Sequence, residues 1–526
     1  MVKYQLSQLL PPRSMAISVL PGLSSSTYRP YVHLHIPLFR FVPKADAYVS
    51  KSLPLPTHFP EFNDDDSKLR NWKRFSSNHL GIATSMIPIP TRKVLNGLKK
   101  TGYEVYLVGG CVRDLILNRV PKDFDIITSA QLKEVSRIFL WCEIVGRRFP
   151  ICHVHIDGTI VEVSSFSTSN RPFDRQLTSA AIEKPMNCEE IDFVRWKNCL
   201  QRDFTINGLM YDPYNNVVYD YLGGMEDIRK AKVRTVVPAC TSFQEDFARI
   251  FRAIRFAARL QFHFSKDIAG SIKNLSCLVF TLNKARLQME MNYLLSYGSA
   301  EASLRLLWKY GLLEILLPIQ AAYFIRNGFR RSDKGSNMLL SLFSSLDKLL
   351  APNRPCHSSL WVAVLALHVA LSDQPRSPLV VAAFGLAVHN GGNMMEAISI
   401  AKSINRAHNA NFCELLEPEN LEVQALIDEV MDLTTFVKAA LHKMTDEHFV
   451  SLALETYPQA PASDLVFIPL VVYLKVCKIF ECVVEGAERG FVPKRGKINY
   501  ECLALGNLLE LRHVFARIVF DTVYPL

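Results

Sequence analysis

The stretch that begins at residue 107 reads Leu107-Val-Gly-Gly-Cys-Val-Arg-Asp114, and Lys122-Asp-Phe-Asp-Ile126 follows it closely. The pattern of apolar residues predicts a strand over Tyr103–Val108, which ends at the two glycines. It then predicts a helix over Cys111–Leu117 and a second strand over Phe124–Thr128. A strand, a glycine turn, a helix and another strand in this order indicate a small α/β or α+β domain.

The glycine pair, Gly109 and Gly110, leaves the end of the predicted strand without Cβ atoms. Backbone N–H groups there can approach a triphosphate closely, as they do in other phosphate-binding turns. Arg113 follows one helical turn later, where its guanidinium can grip phosphate oxygens. A Gly-Gly pair alone more often marks only a tight turn, so this interpretation depends on the residues that come next.

Two carboxylates, Asp123 and Asp125, are separated by one residue, so on a strand both side chains point to the same face. Like charges this close repel each other unless a cation lies between them. Such a pair suits Mg²⁺, which is held by one or two carboxylates together with substrate phosphates. Two solvated carboxylates are the alternative for this motif alone, but its spacing from the glycine turn favours a functional site.

A third carboxylate, Glu162, lies between two valines in the predicted strand Thr159–Phe166. An acid among apolar residues requires a partner. Glu162 either completes the metal site or forms a salt bridge with Arg147 or Arg148, and the metal role is favoured.

Further along, Arg202-Asp-Phe-Thr-Ile-Asn207 interleaves polar side chains with apolar ones. An arginine–aspartate pair such as Arg202 and Asp203 can hold phosphate and ribose hydroxyl groups. A structural ion pair is the alternative.

A strongly amphipathic helix is predicted over Glu245–Leu260. Asp246 and Arg249 are three residues apart, so on a helix they are neighbours on one face. Together they offer the acceptors and donors needed to read the Watson–Crick edge of a base, although an intrahelical salt bridge is the simpler explanation of the pair taken alone. Three arginines continue the helix and face either an RNA backbone or solvent: Arg252, Arg255 and Arg259.

The chain has 526 residues, too many for one hydrophobic core, so two or more domains are expected. A hairpin is predicted around Asp157-Gly158, and from about Phe243 onward the pattern is mostly helical. The predicted divisions are a targeting segment and linker (residues 1–70), a head (71–230), a helical neck (231–318), and a helical body and tail that bind RNA (319–526).

The first 45 residues contain no aspartate or glutamate, and positive charge comes from Lys3, Arg13, Arg29, Arg40 and Lys44. This composition is typical of an organelle transit peptide, with a disordered basic tail as the alternative. We therefore expect a chloroplast or mitochondrial location, with the cytoplasm or nucleus as the alternative.

The rest of the composition narrows the classes of protein further. The 12 cysteines include no C-x-x-C pair, which favours reduced core thiols over a zinc site. The most apolar stretches, Leu360–Leu371 and Leu465–Phe480, are too short or too interrupted to span a bilayer, so no membrane partner is expected. The net charge of +10 is consistent with a polyanionic partner.

Five motifs occur in a fixed order: Gly109-Gly-x-Val-Arg-Asp114, Asp123-x-Asp125, Arg202-Asp-Phe-Thr-Ile-Asn207, Asp220-x-x-Gly-Gly-x-x-Asp227 and Glu245-Asp-x-x-Arg249. Together they resemble the class II tRNA nucleotidyltransferase and bacterial-type poly(A) polymerase family, from about Pro90 to about Pro318. The resemblance implies an α+β fold, with a small nucleotidyltransferase-type head on a mixed or antiparallel sheet. An all-α neck, body and tail would follow.

The resemblance also implies a reaction and a role for each motif. An RNA 3′-hydroxyl attacks the α-phosphate of ATP in line, and pyrophosphate leaves. The implied partners are RNA 3′ ends and ATP, with CTP as a further possibility, and no protein partner is identified. The implied roles are Mg²⁺ ligation by Asp123 and Asp125 with help from Glu162; triphosphate binding by Gly109, Gly110 and Arg113; sugar and phosphate contacts by Arg202, Asp203 and Asn207; and base selection by Asp246 and Arg249.

Two segments, Val145-Gly-Arg-Arg-Phe-Pro-Ile-Cys-His-Val154 and Ala285-Arg-Leu287 with Glu290, are similar to the poly(A) polymerase branch. ATP-specific poly(A) addition is therefore favoured over CCA addition from CTP and ATP. The chain departs from the family pattern at Gln201, Lys197, Asn198 and Gly208. These departures motivate a second class of hypothesis, a catalytically weak RNA-binding protein, while a purely structural helical protein would explain only the second half.

Overall fold

The computed structural model describes residues 72–146, 150–167, 184, 188–350, 354–419, 421–446 and 468–525. The targeting segment predicted over residues 1–70 lies outside these ranges, as do Arg147 and Arg148, the alternative partners of Glu162. Asp66–Leu526 forms one compact unit, so the predicted boundaries at residues 230 and 318 stay predictions.

The head is built on one mixed sheet. Its strands are β1 (Lys73–Ser76), β2 (Val105–Val108), β3 (Asp125–Thr128), β4 (Cys142–Val145), β5 (Ile151–Ile156), β6 (Thr159–Ser165), β7 (Leu209–Asp212) and β8 (Val217–Asp220). They lie in the order β1-β8-β7-β2-β3-β6-β5-β4. Only β3 and β6 run parallel, and every other neighbouring pair is antiparallel. The mixed sheet predicted for the head is therefore confirmed.

Strand β2 is central, and its four residues are all buried because both faces of the sheet are covered. One face packs against α1 (Ile89–Lys100), α2 (Gly110–Ile116) and α3 (Leu132–Ile138). The other face packs against α4 (Glu190–Leu200). There the Arg195 guanidinium lies 4.7 Å from the ring centre of Tyr106 and 4.3 Å from that of Tyr219.

Two local predictions about the strands had different outcomes. The predicted hairpin is confirmed, since Asp157 and Gly158 take φ values of 50° and 72° between β5 and β6. The predicted strand Phe124–Thr128 begins one residue later, at Asp125. Asp123 therefore lies two residues before the strand rather than in it, although its charge still acts on Asp125.

Beyond the sheet the described chain is mostly helical, as predicted. The helices are α5 (Gly224–Arg229), α6 (Ala239–Glu245), α7 (Ala248–Leu260), α8 (Lys266–Leu275), α9 (Lys284–Leu295), α10 (Ala300–Lys309), α11 (Leu313–Leu316), α12 (Pro318–Arg326), α13 (Met338–Leu349), α14 (Ser358–Asp373), α15 (Pro378–His389), α16 (Met394–Lys402), α17 (Val423–Thr445), α18 (Leu470–Glu485), α19 (Tyr500–Ala504) and α20 (Leu508–Val523). One short parallel pair, β9 (Lys232–Val233) with β10 (His263–Phe264), was not expected.

The apolar stretch Leu360–Leu371 lies inside α14, and every residue of it is buried. Its apolar character therefore reflects packing against neighbouring helices of the body. Among the described residues no helix combines the length and the apolar character that crossing a membrane requires.

Two cysteines do not match the prediction of reduced thiols. Cys142 on β4 and Cys152 on β5 form a disulfide, while the other ten cysteines are free. The antiparallel register pairs Cys142 with Val154, so Cys152 lies two residues away on the same face. The two Cα atoms are 6.4 Å apart, which is within the range that a disulfide can bridge.

Candidate active site

The turn after β2 brings an arginine against the backbone. Gly109 takes φ 79°, a left-handed conformation that favours glycine. A Cβ atom at this position would lie 2.9 Å from Nη1 of Arg202 and 3.5 Å from Oδ2 of Asp125. The glycine therefore lets the Arg202 guanidinium come close to the backbone beside a carboxylate. At Gly110, the first residue of α2, a Cβ atom would meet only Nη2 of Arg113, at 3.5 Å.

Three carboxylates, those of Asp123, Asp125 and Glu162, influence one another electrostatically near the Gly109 turn. The parallel register of β3 and β6 pairs Ile126 with Val163, so Asp125 and Glu162 are neighbours one residue earlier on each strand. Burial and the charges of Glu162 and Asp123, opposed by Arg202, together raise the pKa of Asp125 to about 6. This mutual repulsion is what a bound cation would relieve.

The outer two carboxylates remain accessible. The Asp123 side chain is 71% exposed and lies 3.8 Å from Nζ of Lys122. The Glu162 side chain is 52% exposed and lies 3.8 Å from Nε2 of His153 on β5. Within the described parts of the chain, no three His, Cys, Asp or Glu side chains converge into a finished metal site. The donors are all carboxylate oxygens, which fits Mg²⁺, since this ion usually keeps waters and substrate phosphates among its ligands.

Arg113, which was predicted to bind the triphosphate, has a buried guanidinium that is already hydrogen-bonded to protein groups. It is 4% exposed, and its Nε and Nη2 donate to Oδ1 of Asp114 at 2.9 and 2.7 Å. Its Nη1 donates to Oδ1 of Asn207 at 2.7 Å, and Nδ2 of Asn207 donates to Oδ1 of Asp203 at 3.0 Å. The Asp203 carboxylate in turn accepts from Nε and Nη2 of Arg252 at 2.8 and 2.6 Å. These contacts form a buried joint that connects α2 with α7.

The hydrogen bonds of this joint are expected to contribute measurably to the free energy of unfolding. Burial alone would raise the pKa of Asp203, but Arg252 and Asn207 outweigh it and hold the pKa below its usual value. The charged form therefore stabilises the fold above the ordinary carboxyl pKa, and this stability is lost as the pH falls through the folded-state pKa. Asp203→Asn is expected to lower the free energy of unfolding by about 1–3 kcal/mol at neutral pH, and by less in acid.

Denaturant unfolding at neutral pH and at about pH 3 would measure this difference. Asp432→Asn is the matched control because Asp432 is also paired with an arginine, Arg376, but its side chain is 50% exposed. Equal stabilities of Asp203→Asn and the unsubstituted protein at neutral pH would contradict the role assigned to the joint.

The predicted helix Glu245–Leu260 is interrupted. Helix α6 ends at Glu245, Asp246 takes an extended conformation with φ −153° and ψ 103°, and α7 begins at Ala248. Asp246 and Arg249 are therefore not neighbours on one helical face, and the ion pair of Arg249 is with Glu245, at 2.8 Å. Oδ1 of Asp246 accepts from the backbone N–H of Ala248 at 3.0 Å, and its side chain is 44% exposed, so it remains accessible at the start of α7.

The three arginines of α7 lie close to residues of the sheet-containing region and of α9. Arg252 is bound to Asp203, as described above. The Arg255 guanidinium lies 4.7 Å from the ring centre of Tyr293, and the backbone carbonyl of Arg259 accepts a hydrogen bond from Arg119 at 3.0 Å. Burial lowers the pKa of Arg255 and of Arg259. Both side chains are half-buried, so the alternative that these arginines simply face solvent does not describe them.

The Asp220–Asp227 motif positions the turn that carries Asn207. Oδ1 of Asp220 accepts from the N–H of Gly224 at 2.9 Å, and Oδ2 of Asp227 accepts from Oγ1 of Thr205 at 2.6 Å. A Cβ atom at Gly224 would lie 2.4 Å from the carbonyl oxygen of Thr205, so only glycine allows this approach. The motif therefore holds the short 3-10 turn Thr205–Asn207 against α5.

Sequence reasoning missed two side chains near the carboxylates. Tyr293 on α9 and Tyr297, two residues beyond the end of α9, lie beside Arg255 and Lys122. No local motif marks them, because their position depends on how α9 packs against the head.

Comparison with known proteins identifies two regions of the chain. Residues 105–234 match the model of the Poly A polymerase head domain, and residues 261–324 match that of the probable RNA and SrmB- binding site of polymerase A. The first region contains the carboxylates, the glycine turn and Arg202. The second contains α9 and its tyrosines.

Individual proteins are similar over the same part. Poly(A) polymerase I of Haemophilus influenzae is 34% identical over 260 residues, which cover 49% of this chain and 57% of that protein. The CCA-adding enzyme of Geobacillus kaustophilus is 35% identical over 225 residues, which cover 42% of this chain and 53% of that protein. The chain thus spans about half the length of the curated relatives that it matches. A solved structure of the Bacillus stearothermophilus CCA-adding enzyme with CTP is 23% identical, with a TM-score of 0.40, and covers 76% of this chain and 94% of its own.

Proposed function

We propose that the protein is a template-independent RNA nucleotidyltransferase that adds AMP from ATP to RNA 3′ ends, since residues 105–234 match the model of the Poly A polymerase head domain. The observation that carries this proposal is the position of Asp125 beside the Gly109 turn, where the charges of Asp123 and Glu162 act on its carboxylate. A carboxylate whose pKa is raised by burial and by two accessible acids suits a cation and a polyphosphate better than it suits a structural role.

The residues of this chain divide the work of such a reaction. Asp123 and Asp125 would hold Mg²⁺, which when bound polarises the phosphate and lowers the pKa of the attacking hydroxyl. Arg202, already beside Gly109 and Asp125, is placed to meet phosphate oxygens of the bound nucleotide. Asp246 and Arg249 are proposed to read the base, with the accessible Asp246 carboxylate as the acceptor.

The choice between poly(A) and CCA addition rests on the sequence. The similarity to poly(A) polymerase I extends over 260 residues and the similarity to the CCA-adding enzyme over 225. Together with the segment Val145–Val154, this supports poly(A) addition as the proposal, with CCA addition from CTP and ATP as the alternative.

The deciding experiment supplies purified protein and Mg²⁺ with either an oligo(A) primer or tRNA that lacks its CCA end. Labelled ATP and CTP are given separately and together, and the Asp123→Ala/Asp125→Ala double variant serves as the control. We expect long ATP-only tails on oligo(A). Addition of two C and one A to tRNA alone would move the chain to the CCA-adding class. RNA binding without incorporation above the control would favour a catalytically weak RNA-binding protein.

An organelle location is proposed from the acid-free, basic composition of the first 45 residues. A fluorescent reporter fused behind residues 1–70 would test it, since import into chloroplasts or mitochondria is expected. A reporter that stays in the cytoplasm or enters the nucleus would overturn the proposal.

A further inference from the structure

Tyr293 and Tyr297 form an aromatic pair at the end of α9. Their ring centres are 5.6 Å apart, with the planes inclined at 41°. Both side chains are half-buried. A partly exposed aromatic pair at the boundary between two parts of a protein offers ring surface on which a flat ligand can stack.

The pair lies next to the carboxylates. Nζ of Lys122, the residue before Asp123, is 5.8 Å from the ring centre of Tyr297. Burial raises the pKa of Tyr297, Tyr293 raises it further, and the charge of Asp123 contributes in the same direction. A group stacked on Tyr297 would therefore lie beside the position at which the transfer reaction is proposed to occur.

The end of α9 is fixed to the body. Oδ1 of Asn292 accepts from Oγ of Ser296 at 2.6 Å and from Nε1 of Trp361, on α14, at 3.2 Å. Trp361 is fully buried, so this contact is protected from water. The tyrosines are thus attached to a fixed element, which limits the entropy lost when a ligand stacks on them.

Two neighbouring positive charges lack a carboxylate partner in the described part of the chain. Among the described residues Asp203 pairs with Arg252 and Glu290 pairs with Arg286, and neither Arg255 nor Arg259 has an ion pair. Arg255 lies 4.7 Å from the ring centre of Tyr293. Aromatic rings beside unpaired cations are the combination that binds single-stranded nucleic acid, in which bases stack and phosphates pair.

We propose that Tyr293 and Tyr297 form the surface on which the 3′-terminal bases of the RNA stack, with Arg255 and Arg259 holding the adjoining phosphates. This inference rests on the proposed function and adds to it the site of the RNA 3′ end. An RNA strand fits better than the base of ATP because two rings and two cations provide for successive nucleotides. The phosphates of ATP, by contrast, are assigned to the Gly109 turn.

The test uses the full chain and a short oligo(A) that carries 2-aminopurine at its 3′ end. Stacking on a tyrosine quenches 2-aminopurine fluorescence, so the signal reports this contact whether or not the protein transfers nucleotides. The variants are Tyr297→Ala, Tyr293→Ala and the double alanine variant, with Tyr293→Phe/Tyr297→Phe to keep the rings. Tyr214→Ala is the matched control, because Tyr214 is 38% exposed and donates to Asn96, away from the carboxylates.

We expect the double alanine variant to bind oligo(A) about tenfold or more weakly and to lose the quenching, as removal of base–aromatic stacking predicts. The phenylalanine variant and Tyr214→Ala should keep both properties, and the KM for ATP should not change in any of them. Unchanged quenching in a folded double alanine variant would overturn the inference. A raised KM for ATP with unchanged RNA affinity would also overturn it, since the rings would then serve the incoming nucleotide.

These outcomes separate the inference from the proposed function. If the unsubstituted protein quenches the probe but transfers nothing, the proposed function fails and the stacking surface stands. If it extends RNA without quenching, the surface fails and the function stands. Should the alanine variants be unfolded by circular dichroism, the phenylalanine variant decides, because loss of quenching with both rings retained would exclude stacking as the source of the signal.

Discussion

Replacing Asp125 by asparagine is expected to lower the rate of AMP transfer by about a thousandfold or more. Asparagine has nearly the same size, but it removes the charge that a divalent cation requires at the start of β3. Single-turnover extension of oligo(A) with ATP and Mg²⁺ measures the effect. RNA affinity, followed by fluorescence anisotropy, should stay close to that of the unsubstituted protein.

The control for this prediction is Asp157→Asn. Asp157 lies in the β5–β6 turn, five residues before Glu162, where it pairs with Lys93, and asparagine tolerates its positive φ of 50°. Its extension rate should match that of the unsubstituted protein. Rapid extension by Asp125→Asn would show that the carboxylate at this position does not hold the metal.

The same substitution should stabilise the metal-free fold. Burial raises the pKa of Asp125 to about 6, so the folded chain holds this proton more tightly than the unfolded chain does. Stability is therefore greatest below the ordinary carboxyl pKa and is lost as the pH rises toward 6. The asparagine side chain at residue 125 does not titrate. In the presence of a metal chelator at neutral pH, the melting temperature of Asp125→Asn should therefore be higher than that of the unsubstituted protein. Added Mg²⁺ should narrow the difference.

Gly109→Ala is expected to reduce transfer by about a hundredfold. An alanine at φ 79° is strained by about 1–3 kcal/mol, and its Cβ would lie 2.9 Å from Nη1 of Arg202. The guanidinium must therefore move away from both the turn and Asp125. Because phosphate binding depends on this arrangement, the KM for ATP should rise and kcat should fall together.

Gly102→Ala is the control that separates the effect of backbone strain from the effect of contact between the new Cβ atom and a neighbouring side chain. Gly102 has a φ of 88°, and no atom lies within 4 Å of the position its Cβ would take. The Gly102→Ala variant should therefore lose about as much thermal stability as Gly109→Ala, but its rate of AMP transfer should equal that of the unsubstituted protein. If Gly109→Ala and Gly102→Ala extend RNA equally well, the close approach of Arg202 has no role in the reaction.

Local patterns predicted the elements that hold the carboxylates. The strand β2, the turn at Gly109 and the hairpin at Asp157 are specified by neighbouring residues, so a short window of sequence contains the signal. The break between α6 and α7 has no such signal, since Asp246 and Phe247 include neither glycine nor proline. The amphipathic pattern continues across it, and only tertiary packing reveals the extended residue.

The site was predictable where adjacent residues form it and not where the fold brings distant ones together. Asp123 and Asp125 could be paired from their spacing. The burial of Arg113 could not, because it depends on Asn207 and Asp203, which lie far along the chain. The tyrosines of α9 were missed for the same reason. The bond between Cys142 and Cys152 follows from strand register, which the sequence alone did not provide.

The order of strands leaves β4 at one edge of the sheet, where its outer N–H and C=O groups can pair with another copy of the chain. Ile144 on β4 and Trp141 just before it are 47% and 76% exposed, so the edge is partly apolar. The disulfide keeps β4 from separating from β5, and among the described residues no strand pairs with this outer side. Protection against self-association at this edge therefore depends on Glu143, the one acidic residue of the strand. Neutralising the Glu143 side chain, for example by its replacement with glutamine, would therefore favour aggregation through this edge.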